Sequence, residues 1–154
     1  MPSFKGQYEH SVDNKGRVAF PAKLRKLVSP SAQDQFTILR GQESCLYLYP
    51  QNHWEEVEEK LSRVNSFTRD GRTVIRNFLR FAEDVSLDKQ NRISLPSHLM
   101  DYSGIGTTAV FIGMVDRIEI WSPDKLNDFD SDLSDEYFHE LFEKVMGDES
   151  ENRD

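Results

Sequence analysis

Tyr8, His10 and Val12 fall on alternate positions, and so do Val18 and Phe20 a few residues later. A period of two marks a strand with one face turned inward, so two short strands are predicted here. The four residues between them, Asp13-Asn14-Lys15-Gly16, read as a turn. An aspartate at the first turn position accepts backbone N–H groups from just ahead of it. The fourth position calls for positive φ, as in a type I turn followed by a left-handed residue, and glycine supplies it. Pro21 suits the first turn of a short helix, where no N–H is required. Leu24, Leu27 and Val28 give that helix an apolar face, and two more strands follow around 36–40 and 45–49.

The pattern then returns. Val12-Asp13-Asn14-Lys15-Gly16-Arg17-Val18-Ala19-Phe20-Pro21 realigns 75 positions on with Leu87-Asp88-Lys89-Gln90-Asn91-Arg92-Ile93-Ser94-Leu95-Pro96, and Leu24 continues the match at Leu99. Ile38-Leu39-Arg40-Gly41 finds Val110-Phe111-Ile112-Gly113 at an offset of 72, and Leu46-Tyr47-Leu48-Tyr49 finds Ile118-Glu119-Ile120-Trp121, with Pro50 and Pro123 close behind. Two blocks in one order at nearly one offset point to a duplication within the chain. Asn91 stands where the first copy has Gly16, and asparagine also tolerates the left-handed conformation. Strands are therefore expected around 108–112 and 117–121 as well.

Helical spacing occupies the space between the copies. Asn52 with Glu55 three residues on is an N-cap signature, and Trp54, Val57, Leu61 and Val64 recur on one face. A second segment sets Val74, Ile75, Phe78, Leu79 and Ala82 together, opposite a stripe of Arg69, Arg72, Arg76 and Arg80. After the second copy Pro123 opens a helical turn. Tyr137, Phe138, Leu141, Phe142, Val145 and Met146 then predict an amphipathic helix with Gly147 as its C-cap and a frayed polar end over 148–154.

The chain has 154 residues and one cysteine, Cys45, so no internal disulfide is available. Its start, Met1-Pro2-Ser3-Phe4-Lys5, lacks the apolar run of a secretory signal. No stretch approaches the roughly 18 apolar residues of a membrane span. A cytoplasmic protein without membrane contact is expected. The net charge of −8 argues against a polyanionic partner only until it is mapped. Residues 128–154 hold eleven acidic side chains against Lys144 and Arg153, a net of −9, which leaves +1 on the rest. Residues 1–40 carry +4. Salt screens exposed charges beyond about 8 Å, so a polyanion docking on one face feels mainly local charge.

Catalytic and metal chemistry find little support. His10, His53, His98 and His139 have no Cys or His at ligand spacing. Gly104-Ile105-Gly106 lacks the third glycine and strand context of a phosphate loop, no serine elbow occurs, and Cys45 sits in an alternating strand pattern as a packed residue. No enzyme activity, cofactor, metal or small-molecule substrate is expected.

The duplicated Asp-x-x-x-Arg turn, each between short strands and ahead of a proline, resembles the MraZ family from about Gly6 to the helix ending near Met146. That family comprises bacterial transcription regulators built from two AbrB-type (swapped-hairpin) units. The resemblance implies an α+β fold with a mainly β core, a pseudo-two-fold, double-split β-barrel with packed helices, ring-like homo-oligomers and a place at the nucleoid. It implies binding to repeated double-stranded DNA elements in the promoter of a cell-division and cell-wall gene cluster. Carried over residue by residue, the DNA-contacting motif falls on Asp13, Lys15 and Arg17 and on Asp88, Lys89 and Arg92. The basic residue shifts from third to second position in the second copy, where Gln90 stands third, so the first copy is the stronger candidate. Lys23, Arg25 and Lys26 supply further positive charge nearby. The expected layout is a first DNA-binding repeat over 7–53, a helical connector over 54–81, a second repeat over 82–125 and an acidic helix and tail over 126–154.

Each feature has a plainer reading. The Asp–Arg pairs could merely pin hairpins, as exposed bridges worth roughly 0–1 kcal/mol. The arginine stripe reads first as paired with Glu55, Glu56, Glu58 and Glu59 or with acids of another subunit, with DNA contact and plain solvation as alternatives. The acidic end could be solvated, pair with a neighbouring subunit's basic surface, or keep DNA off the wrong face. Two other classes remain open for the whole chain: an antitoxin-like module whose acidic segment grips a toxin, and an oligomeric scaffold that binds no DNA.

Overall fold

The computed structural model describes residues 3–151, which divide after Pro123 into two units. The first unit begins with β1 (Gln7–Ser11) and β2 (Arg17–Ala19), then α1 (Ala22–Arg25) and a 3-10 turn at Pro30–Ala32. It continues through β3 (Gln35–Arg40), β4 (Leu46–Pro50), α2 (Gln51–Ser62) and α3 (Arg69–Leu79). The second copy supplies β5 (Glu83–Ser86), β6 (Arg92–Ser94), α4 (Ser97–Ser103), β7 (Thr108–Gly113) and β8 (Ile118–Trp121). All eight strands occur where the alternation and the repeat offset put them.

Six strands form one antiparallel sheet in the order β1-β7-β8-β4-β3-β5. That order is palindromic in the duplication. The first strand of each copy pairs with the third strand of the other, β1 with β7 and β5 with β3, while the fourth strands β4 and β8 meet at the centre. The remaining strands, β2 and β6, pair with each other in a separate ribbon. The expected closed barrel is therefore corrected to an open sheet plus a two-stranded ribbon within an α+β fold. The reason lies in the turns: each edge strand reverses at its aspartate after four or five residues, so the chain leaves the sheet and pairs with its counterpart instead of bridging the far edge.

One core serves both copies. Phe20 of the first copy packs against Phe36 at 5.3 Å and against Phe111 of the second copy at 6.2 Å between ring centroids. Leu24, Ile38, Leu48, Ile93, Leu99 and Ile120 join them with no exposed surface. In the ribbon Val18 lies opposite Ile93, both buried, so the alternate residues Arg17 and Arg92 must point outward.

The helices depart from expectation at their ends. Asn52 is not the N-cap of α2: the helix starts at Gln51 directly after β4, Pro50 takes the cap position, and no side chain caps it. Pro21 and Pro96 also sit at caps, one residue ahead of the helices they introduce. Thr68, by contrast, caps α3 by accepting the Gly71 N–H at 3.0 Å. Trp54 is the buried residue of α2 and stacks on Phe78 of α3 at 6.1 Å. Helix α5 (Pro123–Asp130) starts at the last residue of the first unit and continues into the second, which also holds α6 (Asp135–Glu151). Gly147 does not end α6, which runs four residues further; this glycine keeps negative φ, which weakens a helix by about 1 kcal/mol relative to alanine without terminating it. The expected frayed end reaches into 152–154, which lie outside the described residues. Among the described residues no helix is long and apolar enough to cross a membrane.

Because Ile93 is fully buried where the ribbon meets the sheet, Ile93→Ala is expected to cost about 2–5 kcal/mol, read as a lowered urea midpoint at unchanged slope.

Candidate nucleic-acid interface

Each Asp–Arg turn is built from one carboxylate. Asp13 Oδ1 accepts the backbone N–H of Lys15 at 2.9 Å and of Arg17 at 2.8 Å, while Oδ2 accepts Arg17 Nε at 2.7 Å. The main chain closes the loop through Gly16 N–H to the Asp13 carbonyl at 3.0 Å and Asp13 N–H to the Arg17 carbonyl at 2.9 Å. In the second copy Asp88 Oδ1 accepts from Gln90 at 2.8 Å and Arg92 at 2.9 Å, and Oδ2 accepts Arg92 Nε at 2.9 Å. Gly16 has φ +78° and Asn91 φ +58°, so both carry the left-handed residue the turn requires. The departures in the second copy leave the bracket unchanged.

The ribbon sets the two turns side by side. Phe20 donates to the Asn91 carbonyl at 2.9 Å and Leu95 to the Gly16 carbonyl at 2.8 Å, so each turn is laced to the strand of the other. Arg92 Nη1 lies 4.0 Å from Asp13 Oδ2, across the boundary between copies. Nothing in the spacing of the motifs announces this adjacency, which comes from the register of three residue pairs in β2 and β6.

Both guanidiniums remain accessible, with side-chain exposures of 32% for Arg17 and 29% for Arg92. Their Nε groups are committed to carboxylates, and among the described residues no hydrogen bond takes up their terminal amino groups. Lys15 and Lys89 are exposed on the turns. Lys23 and Arg25 are exposed on α1 and Lys26 caps it; none of the three bonds to the turn. Their counterparts by the repeat offset are His98, Met100 and Asp101, and His98 is paired with Glu83. The local field is therefore more positive beside the first turn. Among the described residues no ion pair joins the α3 arginines to Glu55, Glu56, Glu58 or Glu59, which corrects the intrachain half of the expected pairing of that stripe, and Glu59 pairs with Arg63. Arg72 instead donates to the carbonyls of Ser66 and Phe67. Among the described residues no group of three potential metal ligands occurs.

A duplicated α+β scaffold that holds two arginine turns on one accessible ribbon defines the class. A family model described as "MraZ protein, putative antitoxin-like" matches residues 3–77 and again 78–148, and the chain belongs to the MraZ family. Proteins named Transcriptional regulator MraZ from Natranaerobius thermophilus and Syntrophomonas wolfei are each 39% identical, over 143 and 144 residues, covering 93% of this chain and 96% of each relative. One from Halothermothrix orenii is 36% identical over 138 residues, covering 90% of this chain and 93% of the relative. Transcriptional regulators are a non-enzymatic class, and the chain is not an enzyme.

The Arg17 backbone N–H, the largest influence, and then its side chain hold Asp13 below the ordinary value of 3.8, outweighing the opposing effect of burial; Arg92 does the same for Asp88. A carboxylate whose folded pKa is depressed stabilises the fold fully above its unfolded value, and that contribution fades as pH falls through the folded one. Carboxyl-carbon NMR titration is expected to place both groups below 3.8, with the turns intact at pH 5 and loosening under acid. Arg17→Ala should bring Asp13 back toward its ordinary range.

Proposed function

We propose that this protein is a sequence-specific double-stranded DNA-binding regulator of transcription, in which Asp13, Lys15 and Arg17 and their counterparts Asp88, Lys89 and Arg92 form the reading surface. The observation that carries the reading is the bracket itself. By taking each Nε, the carboxylate restrains the guanidinium and leaves its terminal amino groups without a hydrogen bond among the described residues, Arg92 Nη1 lying 4.0 Å from Asp13 Oδ2. An arginine fork of this kind meets a guanine edge or a phosphate, and a bidentate guanine contact discriminates by about 1–3 kcal/mol. Lys15, Lys89, Lys23, Arg25 and Lys26 add phosphate contacts, which position the protein without reading sequence.

The names of the relatives support regulation of transcription. The strand exchange between copies fits an AbrB-type swapped-hairpin architecture. In this reading the protein works at the nucleoid in the cytoplasm as a ring-like homo-oligomer. It binds repeated elements in the promoter of a cell-division and cell-wall gene cluster, its own gene included. Several reading surfaces on one assembly engage spaced repeats together, each benefiting from the effective concentration set by the first.

Gel shifts on the DNA upstream of the protein's own gene test this. Arg17→Ala is expected to weaken specific binding by about 5–150-fold, the equivalent of one guanine contact. Arg92→Ala should weaken it less, since the field beside the second turn is poorer. Arg17→Lys keeps the charge and loses the fork, so it should lower sequence preference more than non-specific retention. Affinity should fall steeply with salt, with a log–log slope of about −0.9 per phosphate neutralised. Unchanged affinity and preference in both alanine variants would remove these turns from DNA recognition.

A further inference from the structure

Arg40, the last residue of β3, is partly buried, and among the described residues its guanidinium has neither an ion pair nor a hydrogen bond. Its Nε is buried without a partner. The guanidinium lies 3.6 Å from the centroid of the Phe81 ring and 4.5 Å from that of Tyr102. Arg80, the exposed C-cap of α3, brings a second guanidinium within 5.0 Å of the same Phe81 centroid. Taking a cation out of water costs free energy that aromatic faces return only in part. A lysine could shed its proton in such a place, whereas an arginine stays charged. The missing compensation is an anion.

The duplication argues against a purely structural purpose. At the offset of 72 the second copy has Ile112 in place of Arg40, again one residue ahead of a glycine. There β7 keeps its pairing with β1 and β8 and needs no charge. The guanidinium is thus a feature of the first copy alone.

Arg40 lines an open cavity of about 410 Å³ together with Gln42, Val74, Asn77, Phe78, Phe81 and Tyr102. No acidic side chain lines it. Small-molecule sites span roughly 300–1,000 Å³ and combine apolar walls with a few polar groups, which is the composition here. With Nε closed off, a ligand meets the terminal amino groups, and such a pair grips two oxygens of a carboxylate or phosphate at once. The reading turns lie elsewhere. β5 leaves for the second turn from Ser86, opposite Gln35, while Arg40 stands five residues or about 17 Å away at the other end of β3.

We propose that this cavity binds a small aromatic oxyanion, a phosphate or carboxylate carried on a planar ring, with the anion on Arg40 beside Arg80 and the ring against Phe78 and Val74. The ligand is bound and not turned over. The site stands independently of DNA recognition by Arg17, which the gel shift judges separately.

Calorimetric titration of the full chain with phenyl phosphate, benzoate, inorganic phosphate and phenol tests this. Phenyl phosphate or benzoate should bind at one site per chain, and the tighter of the two identifies the anionic group. Inorganic phosphate and phenol, each lacking half of the ligand, should bind about 10-fold more weakly or worse. Arg40→Gln should weaken the better anion by about 10-fold or more, the loss of one charge-assisted contact. Arg40→Lys, which keeps the charge and loses the fork, should fall between it and the wild type. Arg80→Gln, at an exposed helix end, should weaken binding about threefold, and it serves as the test if the Arg40→Gln chain does not fold. Trp54 stacks on Phe78 at an interplanar angle of 10°, so its fluorescence should change as the cavity fills and stay constant in Arg40→Gln. The proposal is overturned if neither anion binds the wild-type chain, if phenol binds as tightly as the anions, or if both glutamine variants keep full affinity. It is also overturned if Arg40→Gln lowers DNA retention while anion affinity is unchanged, which would give this guanidinium to nucleic acid.

Discussion

A carboxylate has two oxygens, and in this protein each of the paired turns uses them for different tasks. One oxygen gathers two backbone N–H groups and shapes the loop, and the other takes the arginine Nε and orients a side chain. The shape of the turn and the aim of the guanidinium are thereby a single constraint. An exposed Asp–Arg pair adds little stability when its only tie is Coulombic attraction in water. Here the backbone bonds hold the aspartate in place whether or not the guanidinium is engaged, so the arginine is preorganised before any ligand arrives.

The same turns determine the topology. Each reverses an edge strand after four or five residues, too short a segment for a hairpin to be stable alone. The strands leaving the turns reach only three residues, and they find partners in each other. That pairing buries Val18 and Ile93 inward and sends Arg17 and Arg92 outward, and it brings two motifs 75 positions apart within one ion-pair distance. Since β1 and β5 likewise pair across copies, neither repeat keeps its own sheet. The core and the proposed reading surface are two faces of one exchange, so a defect at Ile93 and a defect at the turns should each be felt by the other.

Much of this was legible in the residues. Alternation at Tyr8, His10 and Val12 placed β1, and Gly16 and Asn91 identified the left-handed positions, because these signals are local. Partner choice was not local. Nothing in the duplication distinguishes a closed barrel from an open sheet with a separate ribbon; the outcome depends on how far each edge strand runs before its turn. The cap of α2 was misread because Asn52 is intrinsically a good cap, while tertiary continuity from β4 through Pro50 started the helix one residue before it. Gly147 was misread as a stop for the complementary reason: glycine permits the left-handed conformation without compelling it. The α3 arginines were expected to pair with the α2 glutamates or with acids of another subunit; among the described residues none of them pairs with those glutamates, and Glu59 is taken by Arg63 of its own segment.

Charge placement ties these features together. The proposed reading surface has two arginine forks and a few lysines to offer, while the chain as a whole bears −8 and would repel a polyanion at long range. Concentrating nine negative charges over 128–154 leaves the segment that carries the first turn positive at close quarters. Screening within about 8 Å then lets the local sign govern contact. A single surface with one or two guanine contacts is worth only a few kcal/mol of discrimination, too little to find one promoter among many competing sites. The proposed homo-oligomer would remove that limit, since linked surfaces gain roughly 10²–10⁴ in avidity without new contacts.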